Sequence, residues 1–137
     1  MRFFAAIALC VAGIAMAAPT YTYVPVAYNV SYDQGSVSVD TLTCGSKLKA
    51  AGYTNLSSLP SFPNIGGFAN VTGPDSDECG TCWVLSWGGN FQSILVVDSA
   101  DDGFVVSEEA MTGLILNTTY PPPKEVSALV ISSQSCL

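Results

Sequence analysis

Short apolar runs, separated by glycine, proline, asparagine and aspartate, predict strands along most of this chain. Six runs rich in β-branched and aromatic residues are the predicted strands: Val26–Val30, Ser36–Leu42, Phe68–Thr72, Cys82–Trp87, Ser93–Asp98 and Val126–Ser132. The segment Gly88-Gly89-Asn90 lies between two of them and indicates a hairpin. Six strands with little helix favour a small closed barrel, because closure removes exposed sheet edges.

Two short helices interrupt this pattern. Ser46–Ala51 ends at Gly52, and glycine is the preferred residue just after a helix. Ser107 is placed to cap a helix over Glu108–Thr112, whose first turn carries both of its glutamates. We therefore expect a mainly β protein with short helices.

The first 17 residues have the pattern of a secretory signal peptide. Arg2 gives a positive start, Phe3–Met16 is almost continuously apolar, and Ala15-Met16-Ala17 places small residues at the cleavage positions. No later run of about 20 apolar residues exists, so no membrane span is predicted. We expect cleavage after Ala17, a single mature domain over residues 18–137, and an extracellular or cell-wall location.

The charge and composition of the chain exclude several classes of function. The 137 residues include no histidine, which excludes a Ser-His-Asp or Cys-His nucleophilic site and any histidine-ligated metal. Once the leader is removed, three lysines face eleven acidic residues, which gives a formal charge of −8. Such a surface repels phosphate backbones, so nucleic acid is not an expected partner.

Removal of the leader also leaves four cysteines, Cys44, Cys79, Cys82 and Cys136. An oxidising compartment favours two disulfides, and the sequence leaves three pairings open. Cys79 and Cys82 have the spacing of a redox motif, but an acidic run precedes them and a predicted strand follows. We interpret the bridges as structural, and a four-cysteine zinc site lacks its second cysteine pair.

Carboxylates provide the other candidate chemistry. Asp98, Asp102, Gly103 and Glu109 match part of a calcium loop, but Ala100 and other residues replace essential ligands, so no metal site or cofactor is predicted. Asp33 and Asp98 each follow a predicted strand, where aspartates usually cap turns. Across a groove, the same pair would suit glycosidic hydrolysis.

Four sequons, at Asn29, Asn55, Asn70 and Asn117, are candidate glycosylation sites. Asn29 and Asn70 fall inside predicted strands, so Asn55 and Asn117 are the better predicted acceptors. Tyrosines such as Tyr32, together with phenylalanines and tryptophans, supply faces that stack on sugar rings. Most of these aromatic residues are nevertheless expected in the core.

Several motifs resemble the cerato-platanin family of secreted fungal proteins. They are Val30-Ser31-Tyr32-Asp33, the segment from Leu59 to Gly67, Cys79-Gly80-Thr81-Cys82-Trp83, Gly52-Tyr53 and Ala110-Met111, with a cysteine near the C-terminus. The similarity extends over essentially the whole mature chain in the same order. The family's Asp-His-Ala segment corresponds to Asp98-Ser99-Ala100, so a serine replaces the histidine. Gly73-Pro74-Asp75 replaces a frequent Gly-Trp pair.

The resemblance implies a six-stranded double-psi β-barrel with disulfides Cys44–Cys79 and Cys82–Cys136. It also implies binding of N-acetylglucosamine oligomers or other cell-wall polysaccharide, loosening of polysaccharides without clear hydrolysis, toxicity in some members, and self-assembly at interfaces. A plant receptor is a further expected partner, because the family elicits plant defence.

We predict a secreted, non-enzymatic effector that binds cell-wall oligosaccharide near Tyr32, Asp33, Gly67 and Asp98. One alternative is a weak hydrolase that uses Asp33 as base and Asp98 as acid. A second alternative is a surface-active coat protein.

Overall fold

A computed structural model describes Gly13, residues 21–116 and residues 120–137. The predicted mainly β, six-stranded barrel with short helices is confirmed, and the strand order around the barrel is β1-β5-β2-β4-β3-β6. The strands are β1 (Thr22–Tyr28), β2 (Ile65–Phe68), β3 (Thr81–Trp87), β4 (Asn90–Ser99), β5 (Phe104–Val106) and β6 (Glu125–Ser135). The helices are α1 (Gly45–Ala50) and α2 (Glu108–Ile115), and short 3₁₀ turns cover Val30–Asp33, Val39–Thr41 and Leu56–Ser58.

The predicted signal peptide lies outside the described residues, apart from Gly13. In the described part of the chain, no helix has the length and apolar character needed to cross a bilayer.

Two pairs of strands are parallel, β1 with β5 and β2 with β4, and the other neighbours are antiparallel. The long strand β6 pairs with both β1 and β3 and so closes the barrel. The predicted hairpin joins β3 to β4 through Gly88 and Gly89, whose φ angles are +56° and +84°. Positive φ at both central residues matches the strand twist of tight hairpins and favours glycine there.

One predicted strand is wrong. Residues 36–42 contain the 3₁₀ turn Val39–Thr41, and only Ser38 makes a bridge, an isolated one to Asn55. The Ser38 hydroxyl accepts a hydrogen bond from the Asp40 backbone N–H at 3.2 Å. Such local side-chain acceptors compete with the hydrogen bonds of a strand ladder, which explains why this apolar run does not form a strand.

Another predicted strand is misplaced and one was missed. The strand expected over Phe68–Thr72 instead begins at Ile65 and ends at Phe68, because Gly66 and Gly67 form the middle of the strand. Strand β5 has three residues, too few to show an alternating pattern. The barrel therefore has six strands as predicted, although not all of them are the strands that were predicted.

Glycines in β2 allow this strand to lie between two closely spaced neighbours. A Cβ atom on Gly66 would meet the Val105 carbonyl oxygen in β5, and one on Gly67 would meet the Ser99 carbonyl oxygen in β4. The register with β4 also shifts between Gly66 and Gly67. Only glycine fits such close backbone approach without displacement.

Two disulfides tie loops to the barrel, with the pairing that the family resemblance implied. Cys44, just before α1, is bonded to Cys79, and Cys82 in β3 is bonded to Cys136 after β6. These bridges span 35 and 54 residues, so each contributes about 4 kcal/mol in the chain-entropy account. Cys79 and Cys82 are therefore not bonded to each other as a redox pair would be, although they have the spacing of one.

Gly66→Ala is expected to lower the free energy of unfolding by about 1–3 kcal/mol, because the new methyl group overlaps the backbone of β5. Denaturant unfolding followed by far-UV circular dichroism measures this change. Gly73→Ala is the matched control, since nothing lies within 4 Å of a Cβ there. Equal stability of the two variants would contradict the close approach.

Candidate functional site

The carboxylate of Asp98, near the end of β4, accepts hydrogen bonds from three donors. The Tyr32 hydroxyl donates to it at 2.9 Å and the Thr43 backbone N–H at 2.8 Å. Its own neighbour, the Ser99 backbone N–H, donates at 2.9 Å. Segments more than 50 residues apart in sequence therefore converge on one acidic side chain.

Strand pairing places the other members around this carboxylate. Gly67 is aligned with Asp98 between β2 and β4. A Cβ atom on Gly67 would come within 3.3 Å of the Tyr32 hydroxyl oxygen, so the bare backbone leaves room for the phenol. The Cys44 N–H donates to the Val97 carbonyl at 3.2 Å and holds the Thr43 segment against β4. We call Tyr32, Thr43, Gly67, Asp98 and Ser99 the Asp98 cluster.

Tyr32 stays protonated in this environment. Its side chain is buried, with 7% relative exposure. Burial raises the pKa of the Tyr32 phenol strongly, and the charge of Asp98 and the hydrogen bond to it raise this pKa further. The phenol is therefore a permanent donor to Asp98 at neutral pH.

Two hydroxyls form the outer edge of the Asp98 cluster. The Oγ1 atom of Thr43 and the Oγ atom of Ser99 lie 2.9 Å apart, with Ser99 exposed and Thr43 half-buried. Each hydroxyl can donate and accept, which suits hydrogen bonding to sugar hydroxyl and acetamide groups. Sequence reasoning missed Thr43, because its contact with Ser99 depends on the fold and leaves no local pattern.

Asp33 has a different set of partners from Asp98. It lies in the 3₁₀ turn Val30–Asp33 rather than directly after a strand, which corrects its predicted position. Its carboxylate accepts hydrogen bonds from the backbone N–H groups of Glu108 at 2.7 Å and Glu109 at 3.1 Å. Asp33 thus caps the start of α2, where backbone donors lack helical partners. Its side chain does not join the Asp98 cluster.

A shallow depression of about 360 Å³ adjoins this capped end of α2. Its lining is Val30, Asp33, Glu108, Glu109, Thr112 and Tyr120. Tyr120 is 77% exposed, so its ring face is available for contact. Hydrogen bonding to Glu108, followed by the charge of that carboxylate, raises the pKa of the Tyr120 phenol.

The partial calcium-loop match does not form a loop in the structure. The segment from Asp98 to Glu109 contains β5 and the start of α2. Across residues 21–116 and 120–137, no group of three or more histidine, cysteine, aspartate or glutamate side chains is placed to hold a metal ion.

Two of the four sequons differ from their predicted contexts. Asn29 follows β1 and Asn70 lies in the turn after β2, so neither is inside a strand, and both are exposed. Asn55 is half-buried, and its Oδ1 accepts from the Ser58 backbone N–H at 3.0 Å. Asn117 lies outside the described residues.

A family model described as Cerato-platanin matches residues 24–121. The chain belongs to the cerato-platanin family. Cerato-platanin of Ceratocystis fimbriata f. sp. platani is 33% identical over 117 residues, which cover 81% of this chain and 87% of that protein. An allergen homolog of Arthroderma benhamiae is 39% identical over 99 residues, and the match covers 69% of this chain and 48% of the homolog.

Solved structures of the family share the fold. Cerato-platanin 2 of M. perniciosa superposes with a TM-score of 0.70 at 26% identity, covering 85% of this chain and 95% of that one. The solution structure of the fungal elicitor Cerato-Platanin gives a TM-score of 0.62 at 31% identity, covering 78% and 92%. Homologues of this family are secreted fungal proteins, so an extracellular location is consistent with membership.

Tyr32→Phe is expected to lower the free energy of unfolding at pH 7 by about 1.5–3 kcal/mol, because it removes a hydrogen bond to a charged acceptor. The folded pKa of Tyr32 lies above the ordinary tyrosine value of 10.0, so its ionisation favours the unfolded chain. This part of the stability is complete below about pH 10 and declines as the pH rises above it. Denaturant titrations between neutral and alkaline pH should show a steeper decline for the wild type than for Tyr32→Phe, and parallel profiles would contradict the assignment.

Proposed function

We propose that this protein is a secreted, non-catalytic fungal effector that binds N-acetylglucosamine-type oligosaccharides of the cell wall at the Asp98 cluster. The observation that carries the proposal is the Thr43–Ser99 hydroxyl pair, with Ser99 exposed, beside an aspartate whose carboxylate already accepts three hydrogen bonds from the protein. Family membership supports the broader description as an elicitor-type fungal protein. The sugar class comes from the family resemblance.

The 3₁₀ turn Val30–Asp33 lies between two groups of side chains that an extended saccharide would contact. In the 3₁₀ turn Val30–Asp33, Tyr32 contacts Asp98, and the next residue, Asp33, lines the depression at α2. An oligomer on this surface would meet the hydroxyl pair on one side and the exposed ring of Tyr120 on the other. Aromatic faces and paired hydroxyls are the groups that contact pyranose rings. We therefore expect several sugar units to be needed for binding.

Catalysis is disfavoured by how both carboxylates are used. A glycosidase needs one carboxylic acid that delivers a proton and one carboxylate that acts as base or nucleophile. Asp98 and Asp33 both accept hydrogen bonds from backbone N–H groups, and the chain has no histidine to exchange protons in their place. The family is a non-catalytic, elicitor-type family, which agrees with this assignment. A plant receptor and self-assembly at interfaces remain predictions from the resemblance.

Titration of isotopically labelled protein with N-acetylglucosamine oligomers, followed by amide NMR shifts, tests the proposal. We expect shifts at Thr43, Gly67 and Ser99 with millimolar ligand, and Ser99→Ala is expected to bind about two- to tenfold more weakly, the effect of one hydrogen bond. Ser127→Ala, which changes an exposed serine on β6, is the matched control and should bind normally.

A reducing-sugar assay on the same preparation separates binding from hydrolysis. The proposal predicts shifts without sugar release. Absence of shifts at these residues, or release of soluble sugar by the wild type, would contradict it.

A further inference from the structure

A second concave surface lies at one end of the barrel and plays no part in the proposed sugar site. This cleft has a volume of about 440 Å³. Its walls are mostly apolar and include Phe68 and Trp83, while Asn70 and Asp102 contribute an amide and a carboxylate. The mouth of a β-barrel, lined by aromatic residues with a few polar groups, is a common place for a ligand.

The aromatic floor of the barrel-end cleft is fixed in position. Phe68 stacks on the fully buried Phe104, with ring centroids 4.2 Å apart and an angle of 7° between the rings. Trp83 packs against Phe68 at 4.9 Å, and its Nε1–H donates to the Thr81 hydroxyl at 3.0 Å. The polar edge of the indole therefore has a partner, while Trp83 remains only half-buried. The remaining indole surface is apolar and open to the cleft.

Asn70 is held at the rim of this cleft by its neighbours. The Val71 N–H donates to the Phe68 carbonyl at 3.0 Å, and the Val71 side chain is buried with 5% exposure. Asn70 and Thr72, on either side of Val71, are exposed. Together the three residues form an N-glycosylation sequon. The turn thus presents the acceptor amide to solvent next to an aromatic surface.

The other described sequons lack this combination. Asn55 is half-buried and caps the Leu56–Ser58 turn, where its side chain is part of a capping box. Asn29 is exposed, and its Oδ1 accepts from the Ser31 backbone N–H at 2.9 Å. Within the described ranges, the Asn70 side chain makes no such hydrogen bond to protein. A glycan on Asn70 would therefore break no hydrogen bond between this side chain and the rest of the described protein.

We propose that Asn70 carries an N-linked glycan whose first N-acetylglucosamine units pack into the barrel-end cleft against Trp83. During secretion, the Nδ2 atom of Asn70 bonds to C1 of a lipid-pyrophosphate-linked oligosaccharide. The bond between C1 and the pyrophosphate oxygen breaks, the lipid pyrophosphate leaves, and the amide loses one proton. The sugar then covers apolar indole surface, and the Asp102 carboxylate accepts hydrogen bonds from its hydroxyl or acetamide groups.

This modification is independent of sugar binding at the Asp98 cluster. Successive residues of a strand face opposite sides, so Gly67 faces Tyr32 and Phe68 faces the interior aromatic residues. The glycan proposal depends on secretion of the chain and not on its ligand.

Secretion of the full chain from a fungal host, followed by site-specific glycopeptide mass spectrometry, tests the first part. We expect a glycan on Asn70 in the wild type and in Thr72→Ser, which keeps the sequon, and an unmodified Asn70 in Thr72→Ala. An unmodified Asn70 in the secreted wild type would overturn the proposal.

Fluorescence tests the packing. The chain has two tryptophans, so Trp87→Phe leaves Trp83 as the single reporter. Removal of the glycan, by Thr72→Ala or by peptide N-glycosidase on the folded protein, should red-shift Trp83 emission and increase its quenching by acrylamide. Thr72→Ser is the matched control and should resemble the parent. Unchanged quenching after loss of the Asn70 glycan would show that the sugar does not cover Trp83.

Discussion

The hydrogen bonds to the Asp98 carboxylate are the interaction on which the candidate site depends. They join β4 to the 3₁₀ turn that contains Tyr32 and to the segment that carries Thr43. A partly buried carboxylate is stable in a folded protein only when donors replace its lost water, and here two backbone N–H groups and a phenol do so. Breaking this set would remove contacts that position two separate segments of chain against β4.

The same arrangement supports the proposed role in sugar binding rather than in catalysis. A general acid must carry a proton to the leaving group at hydrogen-bonding distance. Asp98 instead acts as an acceptor for groups of the protein itself, and Tyr32 is held in its protonated form by burial and by Asp98. The groups left to contact a ligand are the hydroxyls of Thr43 and Ser99, which can form hydrogen bonds to sugars and whose side-chain partner in the described part of the chain is each other.

Sequence patterns were most informative where local chemistry determines structure. The Gly88-Gly89 turn, the Ser107 cap of α2 and the apolar run of β4 were all predictable, because each depends on residues close in sequence. The short strand β5 and the turn at Val39–Thr41 were not, since packing and one serine side chain overrode the apolar pattern.

The candidate site was predictable in part. Family motifs indicated Tyr32, Gly67 and Asp98, and the fold brings these three together. Asp33 was grouped with them because it follows a predicted strand and belongs to a family motif, but its side chain caps α2. Thr43 lies 55 residues from Asp98 in a loop without a motif, so only the three-dimensional structure could identify it.

The barrel presents chemically different surfaces on the two sides of β2. Hydroxyls and the Asp98 carboxylate surround Gly67, whereas Phe68 and Trp83 form an aromatic cleft at the barrel end. The alternation of β2 makes both surfaces possible, because successive residues face opposite sides, and the close packing of Gly66 and Gly67 leaves no room for side chains at those positions.

A crystal structure of the protein with a bound N-acetylglucosamine oligomer would show directly how the Asp98 cluster contacts a sugar. We expect an intact oligomer hydrogen-bonded to the Thr43 and Ser99 hydroxyls, with the three hydrogen bonds to Asp98 preserved. A cleaved oligomer, or one bound with Asp98 turned away from Tyr32 and toward a glycosidic oxygen, would contradict this expectation.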